Sequence, residues 1–250
     1  MTDDAALLGN LAMIGYGHFT TLRCVHGRIK GLNRHLDRLT GDAMAVFGAP
    51  VDRDQIRALI KTAADGADDI VIRVTIVDPG LELARPGAPA RPRPLVTTRP
   101  APAAPPPPLR ALPVDRARSV PTVKHTGLFE VVHARREAQL HGYDDAVFAP
   151  SGWVCEGTTW SLGFWQDGRI VWPTGPALPG ITAALLDEAC PSEARWIKAG
   201  GLAEYEAAFA ANCVGGIRPI AAIGRTEFDP EHPAIDALRR TYEGLPDDRA

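Results

Sequence analysis

The sequence has little of what settles most functional classes at once. Its four cysteines (Cys24, Cys155, Cys190, Cys213) form no CxxC pair, which removes a zinc ribbon. They read as buried free thiols, with a disulfide pair as the other option. No apolar run approaches the ~20 residues that span a bilayer. Lys and Arg total 27 against 30 Asp and Glu, a net charge of −3, so no basic excess addresses nucleic acid or an anionic membrane. The start, Met1-Thr-Asp-Asp, lacks the basic region of a secretory signal. There is no P-loop, no GxGxxG, no GxSxG elbow and no internal repeat. These absences give the expectation of a soluble, cytoplasmic protein with no nucleic-acid partner, no membrane partner and no metal site.

Proline is abundant but unevenly placed. Of 23 prolines, 11 fall between Pro86 and Pro113. With 24 glycines the total stays below the roughly 25–30% that marks low complexity. Folded material is therefore expected on both sides of a proline-dense segment.

The first side reads as β-α-α-β. His18-Phe-Thr-Thr-Leu-Arg-Cys-Val25 is extended and turns at His26-Gly27. Leu32, Leu36, Leu39, Ala43, Val46 and Phe47 form one helical stripe, which Gly48-Ala-Pro50 ends. Residues 52–64 form a second helix with Ile56, Leu59 and Ile60 inward, and Asp69–Val77 is apolar enough to be a central strand. Pro94–Thr98 fits an edge strand, and Pro105–Pro108 fits a polyproline II connector, with an SH3-type ligand as the alternative. Beyond it come a helix over 128–140 and short strands at 145–148, 153–156, 160–164 and 169–172. Helices over about 180–189 and 202–209, a strand near 217–221 and a helix over 233–242 complete the pattern. The fold class is α/β of the α+β kind.

Several residues can carry chemistry. Lys124 follows Val-Pro-Thr-Val at a strand-to-helix junction, and is either a surface lysine or a partly desolvated amine of the Schiff-base type. Glu156 follows an apolar pair and needs a partner if buried: a salt bridge or a protonated ring nitrogen. Arg38 lies on the polar edge of the first helix, as a solvated charge or a phosphate fork. Leu178-Pro-Gly-Ile-Thr182 opens a helix, either as a simple cap or as an anion site. Cys155 and Cys213 are possible nucleophiles, but no spacing to a histidine favours them.

In order, these pieces resemble the fold-type IV pyridoxal-phosphate enzymes, or class IV aminotransferases. The resemblance runs from Gly15 to Ile223. It rests on Lys124-His-Thr-Gly-Leu-Phe-Glu130, Gly142-Tyr-Asp-Asp-Ala146, Gly152-Trp-Val-Cys-Glu156-Gly157 and Leu178-Pro-Gly-Ile-Thr182. It implies pyridoxal 5′-phosphate as cofactor, with Lys124 as the lysine that forms the internal aldimine. It implies Glu156 beside the pyridine nitrogen and Arg38 on the phosphate, with Ile181 and Thr182 cradling it. Cys213 falls where many members place a phosphate-binding Thr. Thr21, Arg23 and Arg73 fall near the substrate pocket.

The resemblance also implies two domains. A small N-terminal α/β domain would span 1–100, a proline-rich connector 101–114 and a larger domain of barrel-like sheet and helices 115–250, in a homodimer. The chain departs from the family pattern at Cys213, a poor hydroxyl substitute, and at Ser161, where aminotransferases often have Asn. Phe129 and Glu130 stand where a tyrosine is common, and the short N-terminus gives the expectation that a leading β-hairpin seen in relatives is missing. The implied activity is amino-group transfer between an amino acid and a 2-oxo acid. The alternative is 4-amino-4-deoxychorismate lyase, whose Phe-Thr-Thr-x-Arg resembles Phe19-Thr-Thr-Leu-Arg23. A third reading is a cofactor-binding protein without turnover.

Overall fold

The structure, a computed structural model, describes residues 3–250. In chain order the first elements are α1 (Asp3–Ile14), β1 (His18–Val25), β2 (Arg28–Ile29), α2 (Leu32–Phe47), α3 (Arg53–Ala64), β3 (Asp69–Val77) and β4 (Arg93–Pro100). Next are β5 (Leu109–Val114), α4 (Phe129–Leu140), β6 (Asp145–Phe148), β7 (Trp153–Val154), β8 (Glu156–Gly157), β9 (Ser161–Gln166) and β10 (Arg169–Pro173). The last are α5 (Ile181–Ala189), β11 (Ser192–Arg195), β12 (Ile197–Lys198), β13 (Ala207–Asn212), β14 (Gly216–Ile223), β15 (Thr226–Glu227), α6 (Pro233–Gly244) and β16 (Asp248–Arg249). No helix among the described residues is long and apolar enough to cross a membrane.

The chain divides into two compact units. The first takes the chain up to Ala101, the short segment Val123–Gly127 and the end Pro246–Ala250. Its sheet runs β16-β2-β1-β3-β4, and every pairing in it is antiparallel. Leu22 and Cys24 of β1 and Ile72, Val74 and Ile76 of β3 pack on Leu32, Leu36 and Leu39 of α2 and on Ile56 and Ile60 of α3. Fully burying each such Leu or Ile contributes roughly 2 kcal/mol. The stripe expected on α3 shifts by one turn: Ala64, not Leu59, is the third buried position beside Ile56 and Ile60. Asp52 starts α3 by accepting the N–H groups of Asp54 and Gln55 at 2.9 and 3.1 Å. Strand β4 carries proline at its second and last positions, which its place at the sheet edge tolerates.

The second unit comprises Pro102–Thr122 and Leu128–Leu245. Its nine-stranded sheet runs β11-β10-β9-β13-β14-β5-β6-β8, with β15 on β14. Strands β5 and β6 are parallel, as a crossover through α4 requires, and β5 also runs parallel to β14. Two sequence expectations fail here. The stretch 202–209 is not a helix but a 3-10 turn (Ala199–Glu204) followed by β13. The alanines of Ala207-Ala-Phe-Ala-Ala-Asn212 favour a helix, yet pairing to β9 and β14 and burial of both faces override that preference. Phe209 lies across Gly163, where an added Cβ would meet its ring at 2.3 Å. The proline-rich region is also more ordered than expected, because Leu109–Val114 is an interior strand. Within 101–114, residues 101–108 lie outside regular structure, and there Arg218 Nε donates to the Pro107 carbonyl at 2.7 Å.

Candidate active site

The surroundings of Lys124 follow from the shortness of one strand. On its β1 side β2 reaches only Cys24 and Val25, so the first half of β1 presents an open edge. The segment 123–127 takes that edge. Phe19 N–H donates to the Lys124 carbonyl at 2.9 Å, Thr126 N–H donates to Gly17 O at 2.8 Å, and His18 bridges His125. The Thr126 hydroxyl lies 2.6 Å from Gly15 O and 3.1 Å from Gly17 O. Gly17 is obligatory, since a Cβ there would sit 2.6 Å from Ile76 O. The Lys124 N–H turns the other way and donates to Asp42 Oδ2 at 3.2 Å. Its half-buried ammonium stands 5.1 Å from the Phe19 ring centre.

Helix α2 supplies the companions. His35, Arg38 and Asp42 lie three and four residues apart, on one side of the helix. His35 is buried and its Nδ1 lies 2.7 Å from the Thr20 hydroxyl. Burial, reinforced by the charges of Arg38 and Lys124, lowers its pKa to about 3, so the imidazole is neutral. Burial raises the Asp42 pKa, while the Lys124 N–H and the Arg38 and Lys124 charges oppose the rise. Lys124 and Arg38 thus act on the same two buried groups. Arg38 was a candidate from the sequence; His35 and Asp42 were not. Their signal was two polar residues on the apolar stripe of Leu32, Leu36, Leu39 and Ala43.

The three residues expected near substrate are placed differently from one another. Thr21 pairs with Arg73 across β1 and β3. Arg23 is already bidentate on Asp69, at 2.8 and 2.6 Å. The Arg73 guanidinium lies 3.6 Å over the Phe19 ring, and its Nε reaches the Thr75 hydroxyl at 3.3 Å. Among the described residues no carboxylate pairs with Arg73, and burial lowers its pKa.

In the second unit Glu156 is 4% exposed, and its Oε2 accepts the Leu178 N–H at 3.1 Å. The loop that carries it is held by a residue to which the sequence reading gave no role. Asp145 accepts from Arg135 Nε (3.1 Å) and Nη2 (2.8 Å), Ala146 N (2.8 Å), the Thr158 hydroxyl (2.6 Å) and Trp160 Nε1 (3.0 Å). Gly157 is needed because a Cβ would lie 2.0 Å from the Trp160 ring. Burial first, then the Glu156 charge, pushes the Cys155 thiol up to about 12, which leaves it inert as a nucleophile. All four cysteines are free.

Leu178-Pro-Gly leads into α5. No side chain caps this helix; Gly180 holds the cap position, and a Cβ there would meet Ser161 Oγ at 2.1 Å. The first-turn N–H groups of a helix have no intrahelical partner and suit an anion. Ile181 and Thr182 are buried in that turn. The Thr182 hydroxyl donates to Cys213 Sγ at 3.4 Å, in a turn where Asn212 Oδ1 accepts from the N–H of Val214 and Gly215. The structure therefore brings Glu156, the α5 start and Cys213 into one unit, and Lys124, Arg38, Arg23, Arg73 and Thr21 into the other.

Residues 17–223 match the family model for amino-transferase class IV. No curated protein sequence matches the chain. The branched-chain amino acid aminotransferase of Escherichia coli is 19% identical, with 94% of this chain and 86% of that one aligned at a TM-score of 0.82. A hypothetical aminotransferase from Mycobacterium tuberculosis, solved in its PLP-bound form, is 20% identical over 93% of this chain and 89% of that one, with a TM-score of 0.81. A Legionella pneumophila protein provisionally assigned as 4-amino-4-deoxychorismate lyase is 22% identical over 92% and 91%, with a TM-score of 0.77. At these identities the structures establish the fold, and the family model establishes membership: the chain belongs to the class IV aminotransferases, a pyridoxal-phosphate-dependent family.

Proposed function

We propose that this chain is an amino-acid aminotransferase that moves an amino group between an amino acid and a 2-oxo acid on pyridoxal 5′-phosphate. Its residues fit that cofactor on three counts. Lys124 is a half-buried lysine whose backbone is fixed on both sides. Glu156 is a carboxylate buried to 4% exposure, suited to a protonated ring nitrogen. The uncapped α5 start, with the Thr182 hydroxyl, suits a phosphate, and Arg38 is the phosphate arginine only by the family resemblance. Bound cofactor supplies the electron sink for breaking the Cα–H bond of the amino acid. Lys124 Nζ holds and then moves the proton, a role that partial desolvation assists.

Arg73 carries the choice of transamination. Of the two arginines expected near substrate, Arg23 is bidentate on Asp69, while no carboxylate among the described residues pairs with Arg73. A single available guanidinium suits the one α-carboxylate that amino acids share. The lyase reading rests on Phe19-Thr-Thr-Leu-Arg23 and on Lys124-His125 with Glu130, and the Arg23–Asp69 pair weakens the first of these. The reading includes a homodimer, on the strength of the family resemblance.

The test is a half-reaction of the purified protein with a panel of amino acids. Conversion of bound cofactor to its pyridoxamine form, reversed by a 2-oxo acid, is the expected result. Pyruvate release from aminodeoxychorismate, with no net change in the cofactor, would make the protein a lyase. Tight cofactor binding with neither reaction would make it a binding protein.

A further inference from the structure

The bonds that hold the 123–127 segment along β1 are backbone pairings and the Thr126 hydroxyl, and they reach residues 15–19. The bond from Lys124 N–H to Asp42 is of another kind. It spans 82 residues of sequence and leaves the sheet for helix α2. Asp42 is 9% exposed and stands on the buried stripe of that helix, one turn after Arg38. A carboxylate in such a place is costly unless its oxygens are satisfied. The cost is met here by the N–H of the one lysine in the segment and by the neighbouring cationic charges.

We propose that Asp42 is a positioning residue that fixes the Lys124 backbone to α2, so that the lysine and Arg38 keep a constant spacing. This rests on the roles given to Lys124 and Arg38 above. Lysine has a long, flexible stem, so the placement of its amine depends on how firmly its Cα is held. Productive geometry tolerates displacements of only about 0.5 Å. Backbone pairing sets the segment's register along β1, and Asp42 sets its distance from the helix. Asn at position 42 keeps an acceptor oxygen of the same length, whereas Glu adds a methylene and displaces it.

Amide hydrogen exchange of the full-length protein tests this, together with the pyridoxal phosphate concentration that half-saturates borohydride trapping at Lys124. In Asp42→Ala the 123–127 segment should exchange about tenfold faster, the loss of one hydrogen bond to a charged acceptor. Strands β1 and β3 should keep their protection. Trapping should need about tenfold more cofactor. Asp42→Asn should stay within about threefold of wild type on both readings, and Asp42→Glu should behave like the Ala variant. If the Ala variant does not fold, the Asn and Glu pair decides alone. Unchanged exchange in Asp42→Ala, uniform acceleration through the unit, or a Glu variant that outperforms Asn would overturn the proposal. If the wild type takes no cofactor at Lys124, the functional reading fails, while the exchange data still decide whether Asp42 holds the segment.

Discussion

The Thr182 hydroxyl donates its hydrogen to Cys213 Sγ, 3.4 Å away. Two residues assigned to one phosphate thus face each other, and one spends its donor on the other. Sulfur is a weak acceptor, so this bond is readily exchanged for one to an anion.

Cys213→Thr should therefore strengthen cofactor binding. It adds a hydroxyl donor at the turn after β13, worth about 0.5–1.5 kcal/mol net, or roughly two- to tenfold in Kd. Titration of the cofactor-free protein with pyridoxal phosphate measures it. Weaker binding would place Cys213 away from the phosphate.

Arg73 and Arg23 should separate when each is replaced. Arg73→Met removes a charge-assisted contact to substrate and should lower kcat/KM for amino acids about 10- to 100-fold, with thermal stability little changed. Arg23→Met breaks the half-exposed pair with Asp69 and should leave kcat/KM within about threefold. Steady-state kinetics of both variants decide the assignment.

Two buried histidines make the first unit sensitive to acid. Burial lowers the His18 pKa to about 4, and neither ring nitrogen has a hydrogen-bond partner among the described residues. His35 is lowered further, to about 3. Unfolded, both titrate near 6.5, so below that pH the unfolded chain binds more protons than the folded one. The stability they contribute is complete above about pH 6.5 and falls as pH drops toward 3. Urea midpoints measured from pH 7.5 to 4 should decline, and the decline should be shallower in His18→Phe.

Asp145 should matter as much for the Glu156 loop as for the fold. It is 5% exposed and accepts five hydrogen bonds, so Asp145→Ala leaves Arg135, Thr158 and Trp160 without their acceptor. The Arg135 side chain is 37% exposed, so the expected loss is about 2 kcal/mol, below the roughly 3–5 kcal/mol of a fully buried pair. Urea denaturation gives the figure. A loss under about 1 kcal/mol would show that the network is dispensable.

Periodicity made much of the first unit legible, because α2, α3 and β3 bury one clear face each. The resemblance supplied the proposed site residues as a set of roles. The misses have physical causes. The alanines of β13 favour a helix locally, and only pairing on two sides makes them a strand. The residues 109–114 looked like connector because proline dominated their neighbourhood, although Leu109 and Ala111 alternate with exposed Arg110. Asp42 lay in no motif, and Asp145 stood in the Gly142–Ala146 block with no role attached to it. Their function lies in bonds to residues 82 and 15 positions away, which no local pattern announces.

The central claim is that Lys124 carries the cofactor. Borohydride reduction of the purified protein with pyridoxal phosphate, followed by peptide mapping, tests it most directly. One modified residue, Lys124, is expected, with loss of both the label and the yellow colour in Lys124→Ala. Labelling at another lysine, or a protein that stays colourless and unlabelled, would contradict it.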